Sequence, residues 1–164
     1  SAEDFNLIDC LESALATTAV SARIKGLEMA CVVDPALAAW RHGDPLRLRQ
    51  ILINLLSNAR DASFSGGAIR VSSKVLGNQI ELSVEDEGSG IPKDIAGRLF
   101  EPFFTTKDPG KGTGLGLALV YSIVEEHYGQ IAIDSPADTQ NQRGTRFRVT
   151  LPGYQDSALA QDPH

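Results

Sequence analysis

The sequence predicts an α+β domain, with a mixed, mostly antiparallel sheet covered on one face by helices. Three observations carry this. Two strongly apolar runs, around residues 48–59 and after Gly116, repeat at helical spacing. Two alternating segments rich in β-branched residues, AIRVSSKVL and QIELSVEDE, flank Gly77-Asn78 as the arms of a hairpin would. Helical and strand patterns alternate irregularly, with hairpins as well as crossovers, which favours α+β over a regular parallel array.

The elements follow in order. A short extended piece opens the chain near Phe5, and a helix follows it. Leu7, Ile8, Leu11, Leu15 and Val20 supply the helical spacing, and Asp9 is the candidate cap. LEMACVVD reads as a strand ended by Asp34-Pro35. GDPLRLRQILINLLSNARDASF carries the strongest helix signal, with Asp44 as N-cap and Pro45 at the first helical position. Leu48, Ile51, Leu52, Leu55, Leu56 and Ala59 form its apolar face, and Ser65-Gly66-Gly67 stops it. The hairpin comes next, then a glycine-rich stretch. GLGLALVYSIVEEHYG reads as a second apolar helix closed by Gly129. QIAIDS and GTRFRVTLP form a final strand pair, so the domain spans residues 1–152 and residues 153–164 read as a tail or linker.

Composition narrows the function classes. With 164 residues, 42% hydrophobic and 22% charged, the chain can bury one sizeable core. A net charge of −6 supplies no basic footprint for nucleic acid. Any phosphate must be held locally, against the overall field. Cys10 and Cys31, like His42, His127 and His164, lack metal-ligand spacing, and no disulfide framework is indicated. A reducing, cytoplasmic location is expected. No run approaches membrane-span length and no signal peptide is visible. The chain opens on Ser1 in mid-pattern, which suggests a domain excised from a longer protein, so this says little about whether the parent is membrane-anchored.

Four stretches could carry chemistry. Asn54 and Asn58, four apart, project from one face of the most apolar helix. Unpaired buried amides cost about 1–3 kcal/mol each, so they need partners. Backbone or water could serve. So could Mg²⁺ that also holds phosphates, because amide oxygens are hard neutral ligands. Asp86, Gly88 and Gly90 follow a strand. A carboxylate there can accept from an exocyclic amine while the glycines admit a flat ring; a plain acidic turn is the alternative. FEPFFTTK groups Phe100, Phe103 and Phe104 with Thr105, Thr106 and Lys107. The aromatics suit a latch or the core, and the hydroxyls and ammonium suit phosphate. GKGTGLGL places Gly110, Gly112, Gly114 and Gly116 directly before a helix, and such a loop offers backbone N–H groups to an anion. Neither the P-loop pattern nor the dinucleotide GxGxxG pattern fits it.

The order of these motifs resembles the ATP-binding catalytic domain of bacterial sensor histidine kinases. Asn-Leu-Leu-Ser-Asn-Ala, Asp-Glu-Gly-Ser-Gly, Phe-Glu-Pro-Phe and Gly-Thr-Gly-Leu-Gly-Leu are similar to that family's N, G1, F and G2 boxes. The resemblance runs from about Phe5 to Pro152. FEPFFTTK with GTGLGL is most similar to the nitrogen-regulation and dicarboxylate-sensor branch, and GDPLRLRQILINLLSNA is similar to hybrid kinases. It implies the Bergerat ATP-binding fold, a two-layer α/β sandwich with a mobile lid between Phe104 and Gly114. By the resemblance, Asp86 binds the adenine amino group with Gly88, Gly90, Ile91 and Thr145 nearby. Asn58 holds Mg²⁺ and Asn54 helps. Phe103, Thr105, Thr106, Lys107, Lys111, Gly112, Thr113, Gly114, Leu115, Gly116 and Leu117 contribute to the nucleotide site. Many relatives carry Lys where this chain has Asp61. Phosphate contact then passes to Lys107, or to Lys111, and Asp61 reaches Mg²⁺ through water or pairs with a neighbouring base.

The implied function is to bind Mg·ATP and donate its γ-phosphoryl group to a histidine on a separate dimerisation domain. The implied partners are that domain, indirectly a response regulator, and a second subunit in a homodimeric parent, either anchored in the inner membrane or cytosolic. None of the three histidines sits in the sequence expected of the acceptor, so this chain alone should bind nucleotide without autophosphorylating. Two alternatives stand beside this. One is an autonomous ATPase like gyrase, mismatch-repair or heat-shock chaperone proteins, which place Glu at the Asn54 position; an amide cannot act as a general base. The other is a binding module with a decayed site, which the intact glycines at 88, 90, 112, 114 and 116 oppose.

Overall fold

The computed structural model describes residues 2–34, 40–105 and 115–152. In chain order the elements are β1 (Glu3–Asn6), α1 (Leu7–Ile24), β2 (Glu28–Val33), β3 (Trp40–Gly43), α2 (Pro45–Ala62), β4 (Ala68–Leu76) and β5 (Gln79–Asp86). They continue with α3 (Lys93–Ala96), α4 (Gly116–Glu126), β6 (Gln130–Asp134) and β7 (Thr145–Pro152). Five strands form one sheet in the order β2-β4-β5-β7-β6. Only β2–β4 is parallel; the remaining pairings in that sheet are antiparallel. The sheet is thus mixed and mostly antiparallel, as the sequence predicts. A separate ribbon pairs β1 with β3, which sequence patterning did not foresee.

The helix α2 is central because its apolar face is continuous. Leu48, Ile51, Leu52, Leu55, Leu56 and Ala59 are all buried, and α2 packs against the helices α1 and α4 and the strands β4 and β5. Its start is specified locally. The Asp44 carboxylate accepts from the Arg47 N–H at 3.2 Å, and Pro45 occupies the first turn. At its end, Lys25 Nζ donates to the carbonyls of Arg60 (2.8 Å) and Asp61 (3.2 Å). A cation there satisfies orphan carbonyls and complements the helix dipole.

Two details of α1 differ from the sequence reading. The cap is Asn6, whose side chain accepts from the Asp9 N–H at 3.0 Å, and Asp9 sits inside the first turn. The buried stripe is Leu7, Leu11, Ala14, Thr18 and Ala22, while Val20 is 65% exposed. Val20 lies nine residues, two and a half turns, beyond Leu11, which puts it on the opposite side.

On the helix-covered face of the sheet, Ile69, Val71, Ile80, Leu82, Val84, Phe147, Val149 and Leu151 are buried. The alternate residues carry charge instead. Arg70 pairs with Glu85 (3.5 Å), Glu85 with Arg146 (3.5 Å), Arg146 with Asp134 (2.9 Å), Asp134 with Arg148 (2.8 Å) and Arg148 with Glu81 (3.8 Å). Arg148, with Arg146 beside it, holds the Asp134 carboxyl below its ordinary value. The hairpin turn is Gly77-Asn78, between the paired residues Leu76 and Gln79, and Gly77 adopts φ +63°.

The end of α4 corrects another expectation. The left-handed position is Tyr128, at φ +58°, and not Gly129. The Tyr128 N–H donates to Glu125 O (3.0 Å) and the Gly129 N–H to Val124 O (2.9 Å), the paired bonds of a Schellman cap. Gly129 is needed for a different reason, since a Cβ there would overlap Thr150 O of β7 and press on Leu151. Tyr128 is 89% exposed, so no packing offsets its backbone strain. Tyr128→Gly is therefore expected to stabilise the fold by up to about 1 kcal/mol, raising the urea midpoint; an unchanged or lower midpoint would contradict this account.

Candidate functional site

The carboxylate of Asp86 sits at the end of β5 and is 5% exposed. Burial pushes its pKa up, against the downward pull of the Gly88 and Thr145 backbone N–H groups. The Gly88 N–H lies 2.9 Å from Oδ1, and Thr145 stands opposite Asp86 in the β5–β7 register. A buried carboxylate with two backbone donors among the described residues is an acceptor suited to an amine from outside.

Gly88 is fixed by its surroundings. A Cβ there would overlap the Ala62 carbonyl at the end of α2 and come within 3.2 Å of Asp86 Oδ1. Its own carbonyl accepts from the Gly144 N–H at 2.7 Å. Gly90 and Gly144 both adopt φ +87°. A Cβ on Gly144 would lie 2.6 Å from Asp86 O. Gly88→Ala must push the loop off α2, and it is expected to cost about 1–3 kcal/mol of stability, read from urea unfolding. A cost near zero would mean that the loop yields freely.

The two carboxamides of α2 differ in their surroundings. Asn54 Nδ2 donates to Gln50 O at 2.8 Å. Its Oδ1 faces the first residue of α4, and a Cβ on Gly116 would lie 2.9 Å from it. Asn58 is half-buried, and its side-chain amide makes no hydrogen bond among the described residues. One turn beyond Asn58, Ala62 abuts Gly88. A single helix therefore touches the Asp86 loop at its end and the start of α4 at Asn54. Asp61 is exposed, with Oδ1 3.2 Å from Arg60 Nε, and Arg60 also donates to Ser21 Oγ on α1 at 2.9 Å. The structure thus shows the pairing of Asp61 with a neighbouring base.

The three aromatics of FEPFF separate. Phe100 packs against the core and stacks on Tyr121 of α4 with ring centroids 5.4 Å apart. Phe103 is 74% exposed at φ +67°. Arg98 lies over the Phe104 ring at 4.5 Å. Ile91 and Leu117 pack partly against the core, Leu115 is 41% exposed, and Thr105 is exposed. Thr106, Lys107, Lys111, Gly112, Thr113 and Gly114 lie outside the described residues, as does nearly all of the expected lid. Sequence reasoning did not single out Ala62 or Gly144. Gly144 was readable, because it directly precedes Thr145 at a strand start, whereas the Ala62 contact is tertiary.

Residues 43–155 match the family described as histidine kinase-, DNA gyrase B- and HSP90-like ATPase. The sensor kinase CckA of Brucella abortus (strain 2308) is 35% identical over 157 residues, covering 86% of this chain and 16% of that protein. The chain spans about a quarter or less of the length of the curated relatives it matches. The catalytic domain of the histidine kinase ThkA superposes with a TM-score of 0.80 at 28% identity, covering 93% of this chain and 98% of that one. Full-length ShkA in complex with AMPPNP superposes at 0.84 with 27% identity, covering 96% of this chain and 32% of that one. These relatives are sensor histidine kinases, which are ATP-dependent protein-histidine kinases. Among the described residues no helix is long and apolar enough to cross a membrane. With the Asn54/Asn58 helix, the Asp86 loop and the sheet order in place, the chain belongs to the histidine kinase-, DNA gyrase B- and HSP90-like ATPase family, as a histidine kinase catalytic domain.

Proposed function

We propose that this domain binds ATP with Mg²⁺ and presents the γ-phosphoryl group to a histidine on a separate dimerisation domain of a two-component sensor. The observation that carries this reading is the buried Asp86 carboxylate, raised by burial and flanked by Gly88 and Gly90. Asp86 accepts from the exocyclic amine of adenine, and the glycines let the ring lie against the backbone beside Ile91 and Thr145. Asn58, whose amide has no intramolecular hydrogen bond among the described residues, is the chain's Mg²⁺ ligand, and Asn54 assists from one turn earlier. The metal supplies neutralisation of phosphate charge. Lys107 and Lys111, with Phe103, Thr105, Thr106 and the backbone from Gly110 to Leu117, serve the phosphates.

In the transfer, the bond between the bridging oxygen and the γ-phosphorus breaks as an imidazole nitrogen bonds to that phosphorus. ADP leaves with the electron pair, and the imidazole gives up its N–H proton. Such chemistry asks the protein for positioning and electrostatics. The partners in this reading are the histidine-bearing domain, a second subunit of a homodimeric parent and a response regulator. ThkA has been seen in complex with the response regulator TrrA, and that structure superposes on this chain at 0.75 with 26% identity. The proposed location is cytoplasmic, with the tail at residues 153–164 beyond the domain. An autonomous ATPase is disfavoured, because the Asn54 amide cannot take a proton from water and its Nδ2 is already committed to Gln50.

Calorimetric titration with ATP, with and without Mg²⁺, tests the reading. Saturable binding that strengthens with Mg²⁺, without autophosphorylation of the isolated chain, is expected. No saturable binding at millimolar ATP would overturn it and leave the family relationship to the fold.

A further inference from the structure

We propose that Ser135, the residue directly after β6, is a positioning residue for the loop from Gly88 to Ile91. The inference rests on the nucleotide-site reading above and extends it to a residue that touches no substrate in that reading. Ser135 Oγ accepts from the Ile91 N–H at 2.7 Å and faces Gly144 O, its acceptor, at 3.5 Å. The same hydroxyl fills the space beside Gly90, where an added Cβ would lie 3.0 Å from Oγ and 3.4 Å from Gly144 O. Gly144 in turn donates its N–H to Gly88 O at 2.7 Å and accepts from the Ala137 N–H at 3.0 Å. The β6–β7 connection therefore grips the loop at Gly88, Gly90 and Ile91, three of the positions that flank the adenine side of the site.

Among these contacts the one side chain involved is that of Ser135. Gly144 acts through its backbone, so the replaceable part of the support is the Ser135 hydroxyl. The tip of the connection is closed on itself. Asp138 and Arg143 form an antiparallel bridge, and the Asp138 carboxylate accepts from the N–H groups of Gln140 (3.1 Å) and Asn141 (3.2 Å) and from Asn141 Nδ2 (2.7 Å). None of these bonds reaches the loop, so the tip and the support are separable.

The fixed loop matters because a flat ring must find Asp86, Gly88 and Gly90 in one arrangement. A loop that wanders loses selectivity for the base more than affinity for the phosphates. Ser135→Ala is expected to speed amide exchange at Ile91 and Gly90 in the nucleotide-free protein. It should weaken ATP binding by about three- to tenfold, the scale of one neutral hydrogen bond, and narrow the preference for ATP over GTP. Ser135→Thr, which keeps the hydroxyl, should restore all three. Asp138→Ala should leave ATP affinity at the wild-type value. Fast exchange at Ile91 in Ser135→Ala with unaltered ATP affinity and base preference would overturn the positioning role. So would equal loss in Asp138→Ala, which would indicate general loosening of the connection. Failure of the wild-type protein to bind ATP would sink the nucleotide-site reading instead, and the exchange result would still report on the Ser135 support.

Discussion

Replacing Asp86 with Asn is expected to weaken ATP binding by about ten- to a hundredfold, the scale of one hydrogen bond to a charged group, and to erase the preference for ATP over GTP. The amide keeps an oxygen that can accept from the Gly88 N–H, now at 2.9 Å from Oδ1, so the loop should survive. What changes is the charge presented to the amine. Stability should move the other way. Burial raises the Asp86 pKa, so between its ordinary value of 3.8 and the raised one the folded state binds more protons than the unfolded state. The fold therefore loses stability as pH rises through that window, and at neutral pH the buried charge is a cost. Asp86→Asn removes that cost, so its melting temperature should equal or exceed that of the wild type. Acidification should mimic the substitution, with ATP affinity falling as pH drops through the raised value while this group's contribution to stability improves. Normal ATP affinity and selectivity in Asp86→Asn, measured by calorimetry, would remove Asp86 from the site.

Replacing Asn58 with Ala should abolish the strengthening of ATP binding by Mg²⁺ and lower affinity for Mg·ATP by at least about tenfold. The fold should be little affected, because the Asn58 amide makes no hydrogen bond among the described residues and removing it orphans no donor or acceptor there. Asn54→Ala is a different experiment. It removes the side-chain bond to Gln50 O and opens space against Gly116, so it changes the contact between α2 and α4 along with any metal contact. Calorimetry at several Mg²⁺ concentrations separates them. Asn58→Ala should give the same ATP affinity at each concentration, and a retained Mg²⁺ response would refute its role as ligand.

Where local chemistry decides structure, the sequence was legible. Asp44 and Pro45 set the start of α2, six apolar residues set its buried face, and Gly77-Asn78 set the hairpin. Where a contact joins distant segments, it was not. The ribbon of β1 and β3 consists of two four-residue strands, too short to show alternation, and Glu3 pairs with Gly43 far along the chain. Tyr128 hid because the left-handed position of a cap is set by where the helix ends, and a neighbouring glycine looked like the better candidate. Of the candidate site, Asn54, Asn58, Asp86, Gly88 and Gly90 could be proposed from residue type and spacing alone. Their supports, Ala62 behind Gly88 and Ser135 behind Ile91, were not, because neither residue type announces a tertiary neighbour.

The ion pairs on the charged face of the sheet form a single file with ends and a middle. Among the described residues Arg70 and Glu81 are termini, each tied to one neighbour. Asp134 is the joint, shared by Arg146 and Arg148. Loss of a terminus shortens the file by one link. Loss of Asp134 cuts it into two fragments, Arg70–Glu85–Arg146 and Arg148–Glu81, and sets two guanidinium groups side by side with no anion between them. Change at the termini is therefore cheap, while change at Asp134 breaks the file in the middle.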